Sequence, residues 1–262
     1  MSVTAINKNP SLFDSHCHFD FDVFDDDRES LWAQCQAKGV HQLVIPGVEP
    51  KQWGHAQSLC EHYPGVYTAC GLHPWWVDKA TLPSDEQWQA MLGHPRCVGV
   101  GECGLDREIN APLDKQISIF EQHLVMATQL ELPVIVHVRN THNETIRLLK
   151  KYQLPHGGVI HGFTGSKELA MSYWLMGFYL GVGGSITYPR AKKTIEAIKN
   201  MPLESLLLET DAPDMPLYGH QGKINSPLSL VDIAASLALT KGVAVEKVAC
   251  VTTQNSRLLF GI

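Results

Sequence analysis

Five short stretches of the chain end in side chains able to bind a metal ion, and each follows an apolar run of strand length. They are Asp14-Ser15-His16-Cys17-His18, Gly101-Glu102, Val136-His137, Ile160-His161 and Glu209-Thr210-Asp211. Side chains at the ends of successive strands can converge on one point. Four imidazoles and two carboxylates so gathered would make a binuclear metal site, which holds and activates water for hydrolysis.

Each residue has a plainer alternative. His16 and His18 are one residue apart. On a strand they would share a face with Cα atoms roughly 6–7 Å apart and could chelate one ion, although H-x-H pairs also occur by chance. Asp14 either supports that pair from deeper in the fold or is a hydrogen-bonded carboxylate at a strand end. Glu102 closes Val98-Gly99-Val100-Gly101. A carboxylate buried there without a partner is costly, so it needs a cation or donors. Its two oxygens could bridge two metals; a salt-bridged core glutamate is the alternative. His137 and His161 each follow a β-branched run, and two at equivalent points of successive units reinforce each other. Asp211 could ligate a metal and take a proton from water, and Glu209 could hold a ligand or a substrate group. The leucines at 206–208 argue against full solvation of this pair.

A second tier surrounds these. Arg139, two residues past His137, could clamp a phosphate or carboxylate through its planar fork, or form an ordinary surface ion pair. His73, in Gly71-Leu72-His73-Pro74, could orient substrate or protonate a leaving oxygen. Trp75 and Trp76 could stack on a base or pack over a rim. Asp106 could support the site from behind its ligands or be merely a loop residue, and the loop reading is preferred. Asn225-Ser226-Pro227 looks like a helix start with Ser226 as cap and Pro227 at the first helical position. Gly181-Val182-Gly183-Gly184-Ser185 is best explained as a tight turn. No P-loop, dinucleotide fingerprint or G-x-S-x-G nucleophile context is present.

The elements that must position these groups are short apolar runs alternating with longer amphipathic segments, the pattern of parallel strands joined by crossover helices. Strands are predicted at 12–18, 41–46, 66–72, 97–102, 133–138, 159–161, 178–182 and 205–209. Helices are predicted at 28–38, 52–62, 84–92, 113–130, 143–152, 167–176, 191–200, 228–241 and 245–260. An open doubly wound sheet would place its site at one switch point. Here the chemical residues follow strands one, three, four, five, six and eight. Only a closed (β/α)8 barrel brings all those ends together, at its C-terminal face.

Composition fits that reading. The 262 residues, 44% of them apolar, suit one barrel domain spanning 1–262. A net charge of −6 and a pI near 6.1 exclude a broad basic surface that grips nucleic acid non-specifically. Seven cysteines, odd in number and without a C-x-x-C pair, argue against a disulfide framework or zinc knuckle and for a reducing compartment. Met1 to Pro10 show no apolar core of a signal peptide, and no apolar run reaches the ~20 residues that span a membrane. The expected location is the cytoplasm, with no membrane association and no evident obligate protein partner.

Taken in order, the motifs resemble those of the TatD-like metal-dependent hydrolases, a branch of the amidohydrolase-like barrels. The matching pieces are Asp14 to His18, Gly71 to Pro74, Gly101 to Asp106, Pro133 to Arg139, His161 to Gly165 and Glu209 to Pro213, with Asn225-Ser226-Pro227 and Asn255-Ser256-Arg257. They cover about the whole chain. The resemblance implies a TIM barrel with two divalent cations (zinc, magnesium or manganese). His16, His18, Glu102 and Asp211 would hold one, and Glu102, His137 and His161 the other. Glu102 would bridge them where many amidohydrolases use a modified lysine. Family members include deoxyribonucleases. The implied activity is hydrolysis of phosphodiester bonds, most simply in DNA, with Asp211 as general base and Glu102 in the catalytic centre. Arg139, His73 and Glu209 would contact substrate. Arg107 departs from the aromatic residue many members carry after the Leu-Asp pair. Opening of a lactone or cleavage of an amide is the alternative reaction, and a non-catalytic binding protein on a barrel scaffold is the alternative class.

Overall fold

The computed structural model describes residues 11–262, so the reading of Met1 to Pro10 as lacking a signal peptide lies outside the described residues. Eight strands follow one another around a single parallel sheet in chain order: β1 (Leu12–Asp14), β2 (Val40–Ile45), β3 (Val66–Cys70), β4 (Cys97–Asp106), β5 (Val134–Arg139), β6 (Gly158–Ile160), β7 (Phe178–Val182) and β8 (Leu206–Leu208). The sheet closes where Ser15 donates from its backbone N–H and its hydroxyl to the carbonyl of Leu208, at 2.9 and 3.0 Å. This is the closed barrel, not the open sheet.

Helices α1 (Arg28–Ala37), α2 (Pro50–His62), α3 (Asp85–Leu92), α4 (Leu113–Leu130), α5 (His142–Tyr152), α6 (Lys167–Trp174) and α7 (Lys192–Asn200) form the crossovers, followed by α8 (Leu230–Lys241) and α9 (Val245–Phe260). Period-2 alternation splits the strand residues into two sets, except in β4, where irregular register puts Val98 and Val100 in different ones. One set faces the helices and forms the large outer core, with Leu43, Val100, Val134, Val136, Ile160, Leu206 and Leu208 among it. The other fills the barrel axis: Phe13, Val44, Ala69, Val98, Ile135, Val159 and Leu207. Leu259 and Phe260 of α9 pack into this inner set, with the Phe13 and Phe260 rings 6.0 Å apart. Two residues beyond Ile135, Val159 and Leu207 the same inward face carries His137, His161 and Glu209. An apolar plug therefore sits beneath a polar mouth.

Most strand and helix boundaries lie within two residues of expectation, and two strand ends differ by four. β1 stops at Asp14, not His18. The Asp14 carboxylate accepts from the His16 N–H (3.3 Å), the Thr210 N–H (2.9 Å) and the Thr210 hydroxyl (2.6 Å). Those local bonds compete with the ladder and bend the chain, so His16 and His18 lie on an irregular segment rather than one strand face. β4 runs four residues past Glu102, to Asp106. Gly101 has φ of +140°, and a Cβ there would meet the Ile135 carbonyl at 2.6 Å. Only glycine lets the strand pass that point and continue. The helix start at Asn225-Ser226-Pro227 is present, with Pro227 opening a 3-10 turn, but the Ser226 side chain makes no cap bond. Asn225 does the anchoring: its amide reaches the carbonyls of Thr210 (3.0 Å) and Asp214 (2.9 Å).

His123 of α4 ties a helix to the mouth. Its Nε2 accepts from the Leu72 N–H at 2.9 Å and its Nδ1 donates to the Ile119 carbonyl at 2.8 Å, which fixes the neutral tautomer. Burial pushes its pKa down to about 4. Between pH 6.5 and about 4 the unfolded chain takes up this proton and the folded chain does not. Stability therefore falls as pH drops through that window, by about 3 kcal/mol from this residue. Urea midpoints at pH 7 and pH 4 should differ less for His123→Gln than for the wild type; equal differences would contradict this.

Candidate metal centre

Glu102 is 2% exposed and stands in the middle of the mouth. Its two oxygens face different partners. Oε2 lies 3.2 Å from His16 Nε2 and 3.9 Å from His18 Nε2, and both imidazoles are 3.5 Å from Asp211 Oδ1. Oε1 lies 2.9 Å from His161 Nε2, 3.1 Å from His137 Nδ1 and 3.3 Å from His73 Nε2. His137 Nδ1 and His161 Nε2 are 3.2 Å apart. Six groups, from the ends of β3, β5, β6 and β8 and from the irregular segment after β1, thus meet around one carboxylate. Donors bound at ~2.0–2.1 Å to one tetrahedral ion lie roughly 3.3 Å apart, close to most of these spacings. His16-His18-Glu102, His73-Glu102-His137 and His16-His161-Glu209 are each compact enough to coordinate a metal ion.

The donor chemistry also fits a cation. His16 is fully buried, yet neither ring nitrogen has a hydrogen-bond partner; its Nε2 is near Glu102 without hydrogen-bond alignment. His18 Nδ1 and His161 Nδ1 are likewise buried without partners. His16 and His161 stack face to face at 4.0 Å, an arrangement two imidazolium ions would oppose.

Behind the imidazoles sit groups that set their tautomers. Asp106 is 1% exposed and accepts from Trp75 Nε1 (2.9 Å) and the Glu108 N–H (2.8 Å), with His137 Nε2 at 3.2 Å. His137 therefore presents Nδ1 as its free lone pair, the carboxylate–histidine arrangement that orients metal ligands. The loop reading of Asp106 is corrected: the longer β4 brings it back to the mouth, and Gln116 of α4 anchors its backbone N–H (2.8 Å) and carbonyl (3.0 Å). The signal available in the sequence was its spacing, four residues beyond Glu102. His73 Nδ1 accepts from the Trp75 N–H at 3.1 Å, so its Nε2 carries the proton that faces Glu102.

The remaining expected contacts divide. Glu209 is fully buried behind His161, with Oε1 3.8 Å from Nδ1 and accepting from the Gly162 N–H. In this geometry it faces a histidine rather than open space. A Cβ at Gly181 would fall 2.1 Å from Glu209 Oε2, so the glycine-rich turn makes room for that carboxylate. Arg139 is exposed at the end of β5, beyond His137 on the same face, and makes no side-chain hydrogen bond or ion pair among the described residues. Arg107 is held by Glu144 at 2.6 Å and the Asn140 carbonyl at 3.2 Å. Trp75 is 56% exposed. Trp76 lies between Lys51 and Lys79, 5.3 and 5.0 Å from its ring.

Electrostatics follow from burial and crowding. Burial alone would push Glu102 up, but the fields of His161, His73 and His16 outweigh it and hold the carboxyl well below the usual range. For His161, burial opposes charge while Glu102, Asp211 and Glu209 favour it, and its pKa rises to about 10. Burial and the charge on His161 press the stacked His16 down to about 4. Burial raises Glu209 to about 8. Replacing Glu102 by Gln removes the main support for charge on His161 and leaves desolvation in place. In metal-free Glu102→Gln the His161 pKa should fall from about 10 to below ~6.5, measured by imidazole nitrogen NMR; an imidazolium persisting at pH 8 would contradict this.

Comparison with known proteins agrees with the geometry. Residues 13–261 match the family model of TatD related DNases. The chain is 40% identical over 254 residues to the metal-dependent hydrolase YjjV of Escherichia coli K12, covering 96% of this chain and 98% of that one. The crystal structure of the YjjV TatD homologue from that organism superposes with a TM-score of 0.92 at 39% identity, over 96% and 98% of the two chains. The 3'-5' ssDNA/RNA exonuclease TatD of Klebsiella pneumoniae is 30% identical over 260 residues, covering 96% of this chain and 98% of that protein. With its barrel, its buried carboxylate–imidazole cluster and these likenesses, the chain belongs to the TatD family of metal-dependent hydrolases.

Proposed function

We propose that the centre holds two divalent cations bridged by Glu102 and hydrolyses phosphodiester bonds, most simply in DNA. The observation that carries this reading is the division of labour between the two Glu102 oxygens. Oε2 with His16 Nε2, His18 Nε2 and Asp211 Oδ1 would hold one ion, and Oε1 with His137 Nδ1 and His161 Nε2 the other. Such a pair would supply activated water, with a pKa toward ~7, and positive charge for the phosphoryl oxygens. Imidazole-rich ligation favours zinc or manganese over magnesium.

The chain's own residues do the rest. Asp211 has an 18% exposed side chain, against 2% for Glu102, so it is the carboxylate that solvent and substrate reach. Burial pushes it up, but the hydrogen bond from His18 and the fields of His161 and His16 hold it below the usual range. It is therefore ionised at neutral pH and able to take the proton from the attacking water. Arg139, unpaired at the rim beyond His137, meets the phosphate through its planar fork. His73 Nε2–H faces the centre and donates to the leaving oxygen. Nuclease activity in the Klebsiella relative supports a nucleic-acid substrate. A cytoplasmic setting fits seven free thiols, six of them buried, and no single helix among the described residues is long and apolar enough to cross a membrane.

Purified protein loaded with zinc, manganese or magnesium should cleave labelled single- or double-stranded DNA, and chelation should stop it. Glu102→Ala and Asp211→Ala should each lower metal-dependent cleavage by at least about a thousandfold. Wild-type turnover in either variant would defeat the reading.

A further inference from the structure

The barrel mouth carries an unpaired cation and a cavity on different sides. Arg139 stands at the end of β5, which in ring order lies across the barrel from β1. The loops after β1, β2 and β8 instead carry Asp20, Asp22, Glu49 and Asp214. On that acidic side lies a cavity of about 980 Å³ that the proposed chemistry does not use. It shares a wall with the centre: Phe21, in its lining, stacks on the His18 ring at 4.7 Å with the planes 22° apart. The charges of Asp211 and His18 are felt by Asp214, also in its lining. The volume suits a ligand of nucleoside size.

Two observations define what the cavity takes. The first is charge. Four carboxylates line it against Lys51 and Lys223, and Lys51 is already engaged by Glu49 at 2.8 Å. A phosphate is disfavoured there. The second is Asp20, which is 3% exposed on the cavity wall. Its Oδ2 accepts from the Gln52 amide, while its buried Oδ1 has no partner. Leaving such an oxygen unsatisfied is unfavourable, and an N–H donor relieves it. A third metal ion is not the donor's substitute, because no metal-capable cluster among the described residues includes a cavity carboxylate. Phe21, Val23, Val48 and Ile224 add an apolar surface. A flat ring with an amino edge satisfies both demands.

We propose that this cavity is a nucleobase subsite that selects bases bearing an exocyclic amine, with Asp20 as the specificity-determining acceptor. The proposal rests on the phosphodiester reading: with phosphate between the Glu102 centre and Arg139, a base attached across the centre would meet this cavity, which Phe21 joins to His18. Adenine and cytosine present an amino donor where thymine presents a carbonyl oxygen. That oxygen would face a carboxylate and be repelled.

The subsite is tested apart from the chemistry by titrating adenosine and thymidine, which lack phosphate, into metal-free protein and following tryptophan fluorescence. Adenosine should bind about tenfold more tightly than thymidine. Asp20→Asn should bring that ratio close to one. Val23→Trp, placed at the exposed rim of the cavity, should weaken both. Equal affinities in the wild type, or an undiminished ratio in Asp20→Asn, overturn the subsite. Metal-loaded protein is assayed in parallel on oligo-dA and oligo-dT. Hydrolysis of both without nucleoside discrimination removes the subsite and leaves the phosphodiester reading standing. Adenosine selectivity without hydrolysis of either strand removes that reading and leaves the subsite.

Discussion

A carboxylate buried at the centre of five imidazoles is the constraint from which the rest of the mouth follows. Taken from water alone, Glu102 would be driven to its neutral form. The fields of His161, His73 and His16 keep it ionised. The histidines need it equally, since His161 keeps a proton only because Glu102 and the nearby acids offset desolvation. Each offsets the other's desolvation, and bound cations would resolve the same conflict with more charge at less crowding.

Holding that cluster explains features that otherwise look unrelated. Asp14 and Thr210 clamp the β1–β8 seam through bonds of 2.9 and 2.6 Å, and Ser15 closes the barrel beside them. This brings His16 and His18 against Asp211, almost two hundred residues away in the chain. Asn225 pins the loop after β8 from the far side. The absence of a side chain at Gly181 leaves space for Glu209, and the freedom of Gly101 carries β4 onward until Asp106 reaches His137. Below, the apolar axis from Phe13 to Leu207, stoppered by Phe260, supplies the rigid floor.

Much of this was legible in the sequence because barrel strands alternate in and out with period two. A histidine or acid two places beyond an inward apolar residue must reach the mouth, as His137 does beyond Ile135 and His161 beyond Val159. His137 and His161 were foreseeable on that basis, and His16, His18, Glu102 and Asp211 because each follows an apolar run of strand length. What was not legible depends on broken periodicity or on side chains from elsewhere. The bend after Asp14 comes from its capture by Thr210, and no local pattern announces a bond across 196 residues. Asp106 lay beyond the strand expected at 97–102, whereas the glycines at 101 and 104, both at positive φ, let that strand continue to it. Glu209 and Asp211 both lie past the end of β8; Asp211, at a positive φ of 55°, faces His16 and His18, while Glu209 lies against His161.

On the proposed reading, an anionic group and its uncharged neighbour would have distinct places to lie, the first toward Arg139 and the second in the cavity beside His18. All of this presupposes that the two Glu102 oxygens serve two ions. The most direct measurement is anomalous diffraction from crystals grown with zinc or manganese. Two peaks flanking Glu102 are expected, one in contact with His16, His18 and Asp211 and the other with His137 and His161. A single peak, or density away from Glu102, would contradict the account.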